Sequence, residues 1–241
     1  MPAVVIVTGG GYGIGRAVCR RVGARGCAVV AVDRDSVRAG ETAGEVRAAG
    51  GNATAVAGDV TDAQCAARAV EAARGLGKLT GLTTCAAMRH PGPITDITEN
   101  QWDETVDVVL KGVFLFCKAV VPEMIRNGGG SIVNVSSPDS FGRKGMIAYA
   151  VAKAGVNALT QCLAADHVEH HIRANVVLPP FTVSGMTEHY PEDRLRSVAA
   201  RSVAGRPAQP DDVARIIDFL LSDESETFSG GFFGGQPLAA R

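Results

Sequence analysis

Ala3-Val4-Val5-Ile6-Val7-Thr8-Gly9-Gly10-Gly11-Tyr12-Gly13-Ile14-Gly15 is the stretch whose reading decides the fold. Its first five residues form an unbroken apolar run bounded by Gly9, the pattern of a strand buried on both faces of a parallel sheet. The glycines follow at once, and Ala17, Val18 and Val22 then line one side of an amphipathic helix. A strand, a tight glycine turn and a helix start make a cradle for a pyrophosphate, because backbone N–H groups and the helix dipole both favour an anion. The spacing Gly9-x-x-x-Gly13-x-Gly15 departs from the commoner Gly-x-Gly-x-x-Gly, yet the mechanism is the same.

Outward from this unit the chain alternates strand and helix. A second apolar strand over 27–32 ends at Asp33, eighteen residues after Gly15. That is close to the ~20 expected of an acid that bonds the adenosine ribose hydroxyls. A carboxylate there repels a 2′-phosphate, so NAD(H) is expected over NADP(H). Arg34 pulls the other way, because an arginine at a strand end can accept that phosphate. A helix over about 36–49, a strand over 53–57 and a helix capped at Thr61-Asp62 come next. The reading continues with a strand over 81–85 and one long helix over about 99–126, whose Val106, Val109, Val113, Leu115 and Phe116 face a core. A strand over 131–135 delivers Ser136 and Ser137, a helix runs to about 170, and a last strand covers 173–178. This order predicts an α/β fold: a Rossmann-like doubly wound parallel sheet flanked by helices, one domain over 1–241. Ligands of such sheets belong at the carboxyl ends of the strands, where the candidate residues fall.

Tyr149-Ala150-Val151-Ala152-Lys153 lies twelve residues after Ser137. A tyrosine and a lysine four apart share a helix face. The ammonium can there stabilise a phenolate and pull the tyrosine below its ordinary pKa of ~10. With a serine hydroxyl to hold a substrate oxygen, the set forms a general acid/base for an alcohol or carbonyl.

Composition sets bounds on partners. A net charge of −1 gives no electrostatic reason to expect nucleic acid or an anionic membrane. Apolar runs are strand-length, and the N-terminus has no basic region ahead of its apolar run, so it reads as the first strand and not as a signal peptide. The six cysteines, at 19, 27, 65, 85, 117 and 162, form no CxxC pair and suit reduced thiols in a cytoplasmic protein. His170-His171 with Glu169 and Asp166 sit at a helix end where adjacent side chains diverge, so no metal site is expected.

Thr8 to Gly15, Asp33, Asp59-Val60, Ser137, Tyr149 and Lys153 together resemble the short-chain dehydrogenase/reductase family along essentially the whole chain. Arg173-Ala174-Asn175-Val176-Val177, Gly205-Arg206-Pro207 and Phe219 to Glu224 add to the likeness. The resemblance implies an NAD(H)-dependent oxidoreductase that interconverts a small-molecule secondary alcohol and a ketone by hydride transfer. Tyr149 would be its acid/base, Ser137 would orient the oxygen, and Lys153 would lower the tyrosine pKa and bind the nicotinamide ribose. It further implies a nucleotide held by Gly9, Gly11, Tyr12, Gly13, Ile14, Gly15, Asp33, Arg34, Asp59, Val60, Cys85, Ala86, Tyr149, Lys153, Pro179 and Ser184. A homotetramer or homodimer is expected, with a substrate lid over about 181–201 that carries Met186, His189 and Tyr190.

The departures from the family pattern matter as much. Thr84-Cys85-Ala86-Ala87 replaces the family's Asn-Asn-Ala-Gly, and Cys85 reads as a small buried residue in preference to a reactive thiol. Val109 falls where the family has an active-site asparagine that helps hold a water on the path from the lysine to solvent. Lys111 points away at another helix angle and is no substitute. Ser137 to Tyr149 is one residue short of the commonest spacing, which leaves Ser136 open as the serine facing substrate. Pro179-Pro180 replaces Pro-Gly, Ser184 replaces a threonine that contacts the nicotinamide carboxamide, and Phe232-Phe233-Gly234-Gly235 stands for a shortened Asp-Gly-Gly segment. His90 is a candidate for lining the pocket. These departures motivate two alternatives on the same scaffold: a redox-neutral elimination or epimerisation, and a catalytically impaired partner subunit.

Overall fold

The computed structural model describes residues 1–185, 187 and 190–235. Met186 and His189 of the expected lid lie outside the described residues. Strand β1 (Ala3–Thr8) leads into helix α1 (Gly13–Ala24), then β2 (Ala28–Asp33), α2 (Ser36–Ala48), β3 (Ala53–Ala57), α3 (Ala63–Leu76) and β4 (Lys78–Thr84). After α4 (Glu99–Val106) and α5 (Gly112–Asn127) come β5 (Gly130–Val135), α6 (Ile147–Asp166), β6 (Ile172–Leu178), α7 (Glu192–Ala200), α8 (Pro210–Leu221) and β7 (Phe232–Gly234). The sheet has seven strands in the order β3-β2-β1-β4-β5-β6-β7, with every neighbouring pair parallel.

Alternation along each strand builds two cores. Val4 and Ile6 of β1 face one layer with Phe116 and Met124 of α5 and Val156 of α6. Val5 and Val7 face the other with Val18 and Val22 of α1 and Ile217 and Leu220 of α8. Strands buried on both faces are why these segments read as continuous apolar runs. The sheet is therefore doubly wound. Its order reverses between β1 and β4, and the crevice at their carboxyl ends is the place for a ligand.

Three local expectations are corrected. The long helix is interrupted by a π-helical turn over Asp107–Lys111, where the Gly112 N–H reaches back five residues to the Asp107 carbonyl. The helix carrying Tyr149 stops at Asp166, and a separate short turn covers Val168–His170. The segment expected as a lid is not all loop, since α7 forms in it behind Pro191, with Glu192 and Asp193 in its first turn. Among the described residues no helix is long and apolar enough to cross a membrane.

Candidate active site

The glycine loop closes as its spacing requires. Gly9 holds φ +64°, and a Cβ there would sit 2.7 Å from the Ala86 nitrogen. A Cβ on Gly15 would lie 2.1 Å from the Gly9 carbonyl oxygen, so both positions exclude any side chain. Helix α1 begins at Tyr12 with no side-chain cap, whereas Asp35 caps α2 and Asp62 caps α3. The first amides of α1 therefore keep their donors for an external anion.

Asp33 stands at the end of β2 beside this loop. Its Oδ2 accepts the Gly11 N–H at 3.0 Å and its Oδ1 accepts the Asp35 N–H at 3.0 Å, which fixes the carboxylate with lone pairs to spare. Arg34 is exposed next to it. The Arg38 guanidinium, from α2, lies 5.0 Å from the centre of the Tyr12 ring. Across the cradle, the side chain of Ser184 is 3.5 Å from where a Gly13 Cβ would be. Pro179 follows the end of β6, half-buried. On the β4 side the Ala86 N–H donates to Thr8 Oγ1 at 3.4 Å, and Cys85 donates its N–H to the Thr8 carbonyl at 3.1 Å. Burial pushes the Cys85 thiol up to about 11, which makes it an inert small residue. Asp59 spends its carboxylate locally, accepting the Thr61 N–H and hydroxyl at 2.8 Å each, while Val60 is buried under Gly112. An uncapped helix start, two positions with no room for a Cβ and a fixed carboxylate at the second strand end fit a dinucleotide.

Ser137, Tyr149 and Lys153 converge at the end of β5. Helix α6 is fastened to the sheet by buried polar contacts that sequence reasoning missed. Asn134 of β5 accepts the Thr84 hydroxyl at 2.8 Å and donates to Thr160 of α6 at 2.9 Å. The Ser136 hydroxyl donates to the Lys153 carbonyl at 3.2 Å, so Ser136 is the structural serine. The Ser137 side chain instead lies by the Tyr149 phenol, where it acts to lower the phenol pKa, and accepts the Asp139 N–H at 3.1 Å. That leaves Ser137 as the serine facing the site.

Electrostatics correct one expectation. The phenol of Tyr149 is pushed up to about 12, first by burial and then by the Asp139 carboxylate, while the Ser137 hydrogen bond and the Arg89 charge act to lower it. Lys153 lies beside the ring. Its Nζ donates to the Val135 carbonyl at 2.5 Å, 5.7 Å from the centre of the Tyr149 ring, and burial brings its ammonium down to about 8. A neutral phenol beside a hydroxyl and a buried amine can give a proton to an alkoxide, or take one when the phenolate is stabilised.

Val109 sits on the π-helical turn, fully buried with Met146, Tyr149 and Ala152, and Ala87 packs on this cluster. It is an apolar wall behind the tyrosine. Lys111 is exposed and bonded to Asp107 at 3.1 Å, away from the site as expected. His90 pairs with Glu104 of α4 at 2.9 Å. The sequence reading also missed Arg89 and Asp139. Arg89 donates to the Tyr190 hydroxyl at 2.8 Å, and Asp139 pairs with Arg143 at 3.1 Å. Only the placement of Asp139 two residues past Ser137, as in a serine turn, hinted at a role. Among the described residues no group of three or more His, Cys, Asp or Glu is placed to hold a metal ion.

Comparison with known proteins bears on this geometry. The family model for short chain dehydrogenase matches residues 3–195. A 2,5-dichloro-2,5-cyclohexadiene-1,4-diol dehydrogenase from Sphingobium indicum is 34% identical over 229 residues, covering 94% of this chain and 92% of the relative. A (3R)-3-hydroxyacyl-CoA dehydrogenase from Rattus norvegicus is 36% identical over 239 residues, covering 95% and 92%. The solved structure of a short-chain type dehydrogenase/reductase from Mycobacterium ulcerans superposes with a TM-score of 0.90 at 29% identity, covering 98% of this chain and 88% of that one.

Proposed function

The chain belongs to the short-chain dehydrogenase/reductase family, and from that premise we propose that it is an NAD(H)-dependent oxidoreductase interconverting a secondary alcohol and a ketone. The observation that carries the reading is the convergence of Ser137 and the Tyr149 phenol at the end of β5, with the buried Lys153 one helical turn along α6. Bound nicotinamide supplies the redox chemistry, and the protein supplies position and electrostatics. Gly9, Gly11, Tyr12, Gly13, Ile14 and Gly15 cradle the pyrophosphate, and Asp33 takes the ribose hydroxyls and disfavours a 2′-phosphate. Ala86, Cys85, Pro179 and Ser184 border the nicotinamide end, and Asp59 and Val60 the adenine. Arg34 stands outside Asp33 as a secondary contact.

Ser137 orients the substrate oxygen toward Tyr149. The phenol is protonated across the neutral range, because burial pushes it up to about 12, so it is ready to protonate an alkoxide in the reductive direction. In oxidation it takes the hydroxyl proton, and the Lys153 ammonium stabilises the phenolate while holding the nicotinamide ribose. These paired roles support an oxidoreductase over a redox-neutral enzyme or an inactive partner subunit. Residues 181–201 form the lid. A homotetramer or homodimer in the cytoplasm completes the reading.

Fluorescence titration with NADH and NADPH, on native protein and Asp33→Ala, tests it. NADH is expected to bind more tightly than NADPH, with that preference lost in the variant. Binding of neither nucleotide would overturn the proposal.

A further inference from the structure

Ser137 and Tyr149 belong to different elements, so the geometry between them depends on what holds the chain after β5 against α6. Ser136 is buried and fixed by its bond to the Lys153 carbonyl at 3.2 Å. Past it the chain enters a short 3-10 turn over Pro138–Phe141, with Ser137 as its N-cap. Ser137 is built into that turn twice. Its hydroxyl accepts the Asp139 N–H at 3.1 Å, and its carbonyl accepts the Ser140 N–H at 3.0 Å. Where the turn moves, Ser137 moves with it.

The chain beyond the turn gives it little support. Phe141, Gly142, Arg143 and Lys144 are exposed. The link to α6 runs through Gly142 at φ +97° and Gly145 at φ +72°, each with open space where a Cβ would stand. Asp139 pairs with Arg143 at 3.1 Å, but both partners lie on this same stretch. The next fixed point is Gly145, whose carbonyl accepts the Gly92 N–H at 2.9 Å. Helix α6 reaches the turn itself through Asn157, one helical turn beyond Lys153 and two beyond Tyr149. The Asn157 Nδ2 donates to the Ser140 hydroxyl oxygen at 3.0 Å. The same amide buries its Oδ1 with no hydrogen-bond partner among the described residues. An unpaired buried acceptor is unfavourable, and an aliphatic side chain at this half-buried position would avoid it. The bond made by the other end of the amide accounts for the asparagine.

We propose that Asn157 is a positioning residue for the reaction: through Ser140 it holds the turn that carries Ser137, and so sets the place of the Ser137 hydroxyl against the Tyr149 phenol. The inference rests on the oxidoreductase reading above and adds a residue to that same site. Asn157 acts through Ser137, and its bond to Ser140 is the means.

The test is a double-mutant cycle on turnover, using the fastest alcohol from a panel of sec-butanol, cyclohexanol and β-hydroxybutyrate with NAD⁺. Asn157→Leu keeps the bulk and removes the donor. It should lower kcat by about 10-fold with KM for NAD⁺ unchanged, because a small misplacement of a site group costs up to about 100-fold. Ser140→Ala should cause the same loss, and Ser140→Thr, which keeps the hydroxyl, should retain most of the native rate. In a Ser137→Ala background, Asn157→Leu should have no further effect on kcat. Amide hydrogen exchange supplies a readout independent of turnover. The Asp139 and Ser140 amides should exchange about 10-fold faster in N157L, with the β5 amides unchanged. Native NADH affinity in the variant reports that it is folded. Unchanged exchange in the turn, or the same loss of kcat with and without the Ser137 hydroxyl, would overturn the positioning role and leave the oxidoreductase reading standing. Failure of the native protein to bind NADH would overturn both.

Discussion

Lys153→Met separates what this lysine costs the fold from what it gives the site. Lys153 is 2% exposed, and burial brings its ammonium from 10.5 down to about 8. The unfolded chain titrates near the ordinary value of ~10.4, so the gap withholds about 3 kcal/mol of stability at pH 7. The sign follows from which state releases its proton first. Below pH 8 the lysine is charged in both states and the folded state bears the whole penalty. As pH rises from about 8 toward ~10.4 the folded protein is already neutral, the penalty is relieved and stability climbs, leaving on the order of 1 kcal/mol of penalty at pH 10. Methionine has no such term. The stability of the variant relative to the native protein should therefore fall by about 2 kcal/mol from pH 7 to pH 10. The Val135 carbonyl loses its donor in the variant, a roughly constant offset of about 1–3 kcal/mol that does not follow the lysine titration. Tyr149 is raised from 10 to about 12, so its stabilisation is complete below 10 and lost as pH climbs from 10 to 12; it is present in both proteins and cancels in the difference. Urea titrations followed by the fluorescence of Trp102, the single tryptophan, give both curves. A difference that stays flat between pH 7 and pH 10 would refute the buried-lysine reasoning.

Two further substitutions probe the rest of the site. Ser137→Ala removes the hydroxyl beside Tyr149 and should lower turnover by about 100-fold. Ser136→Ala loses only a bond to the Lys153 carbonyl and should cost about 1 kcal/mol in urea unfolding with turnover kept. Equal turnover losses in the two would contradict the assignment of the serines. Gly15→Ala places a Cβ 2.1 Å from the Gly9 oxygen, so the loop must move. NADH affinity should fall by about 10-fold or more, given an overpacking cost of about 1–3 kcal/mol. Native affinity in this variant would contradict the cradle.

What the sequence made legible depends on the kind of contact. Strands β1 and β2 could be read because burial on both faces leaves apolar runs, and Asp33 because its distance from the glycine loop is fixed by one helix. Tyr149 and Lys153 share a helix face by spacing alone. The π-helical turn at Asp107–Lys111 was invisible, since a shift from four-residue to five-residue hydrogen bonding leaves no mark on apolar periodicity. Residues that meet only through the fold were equally hidden. Asn134 reads as an interruption of a strand, yet it ties β4 and β5 to α6. Arg89 and Tyr190 are 101 positions apart and meet only because the fold brings the segment after β4 against the segment after β6. The raised Tyr149 pKa could not be foreseen either. Burial outweighs neighbouring charge there, and burial is a property of the folded chain.

The most direct measurement is the single-turnover rate of Tyr149→Phe, with NADH affinity measured in the same preparation. The fastest alcohol from a panel that includes sec-butanol and β-hydroxybutyrate serves as substrate. The phenol is buried beside Ser137, and on this account its hydroxyl is the group that exchanges the proton. The account predicts NADH binding close to that of the native protein and a rate lower by about 100-fold or more. A variant that binds NADH and reacts at the native rate would contradict it.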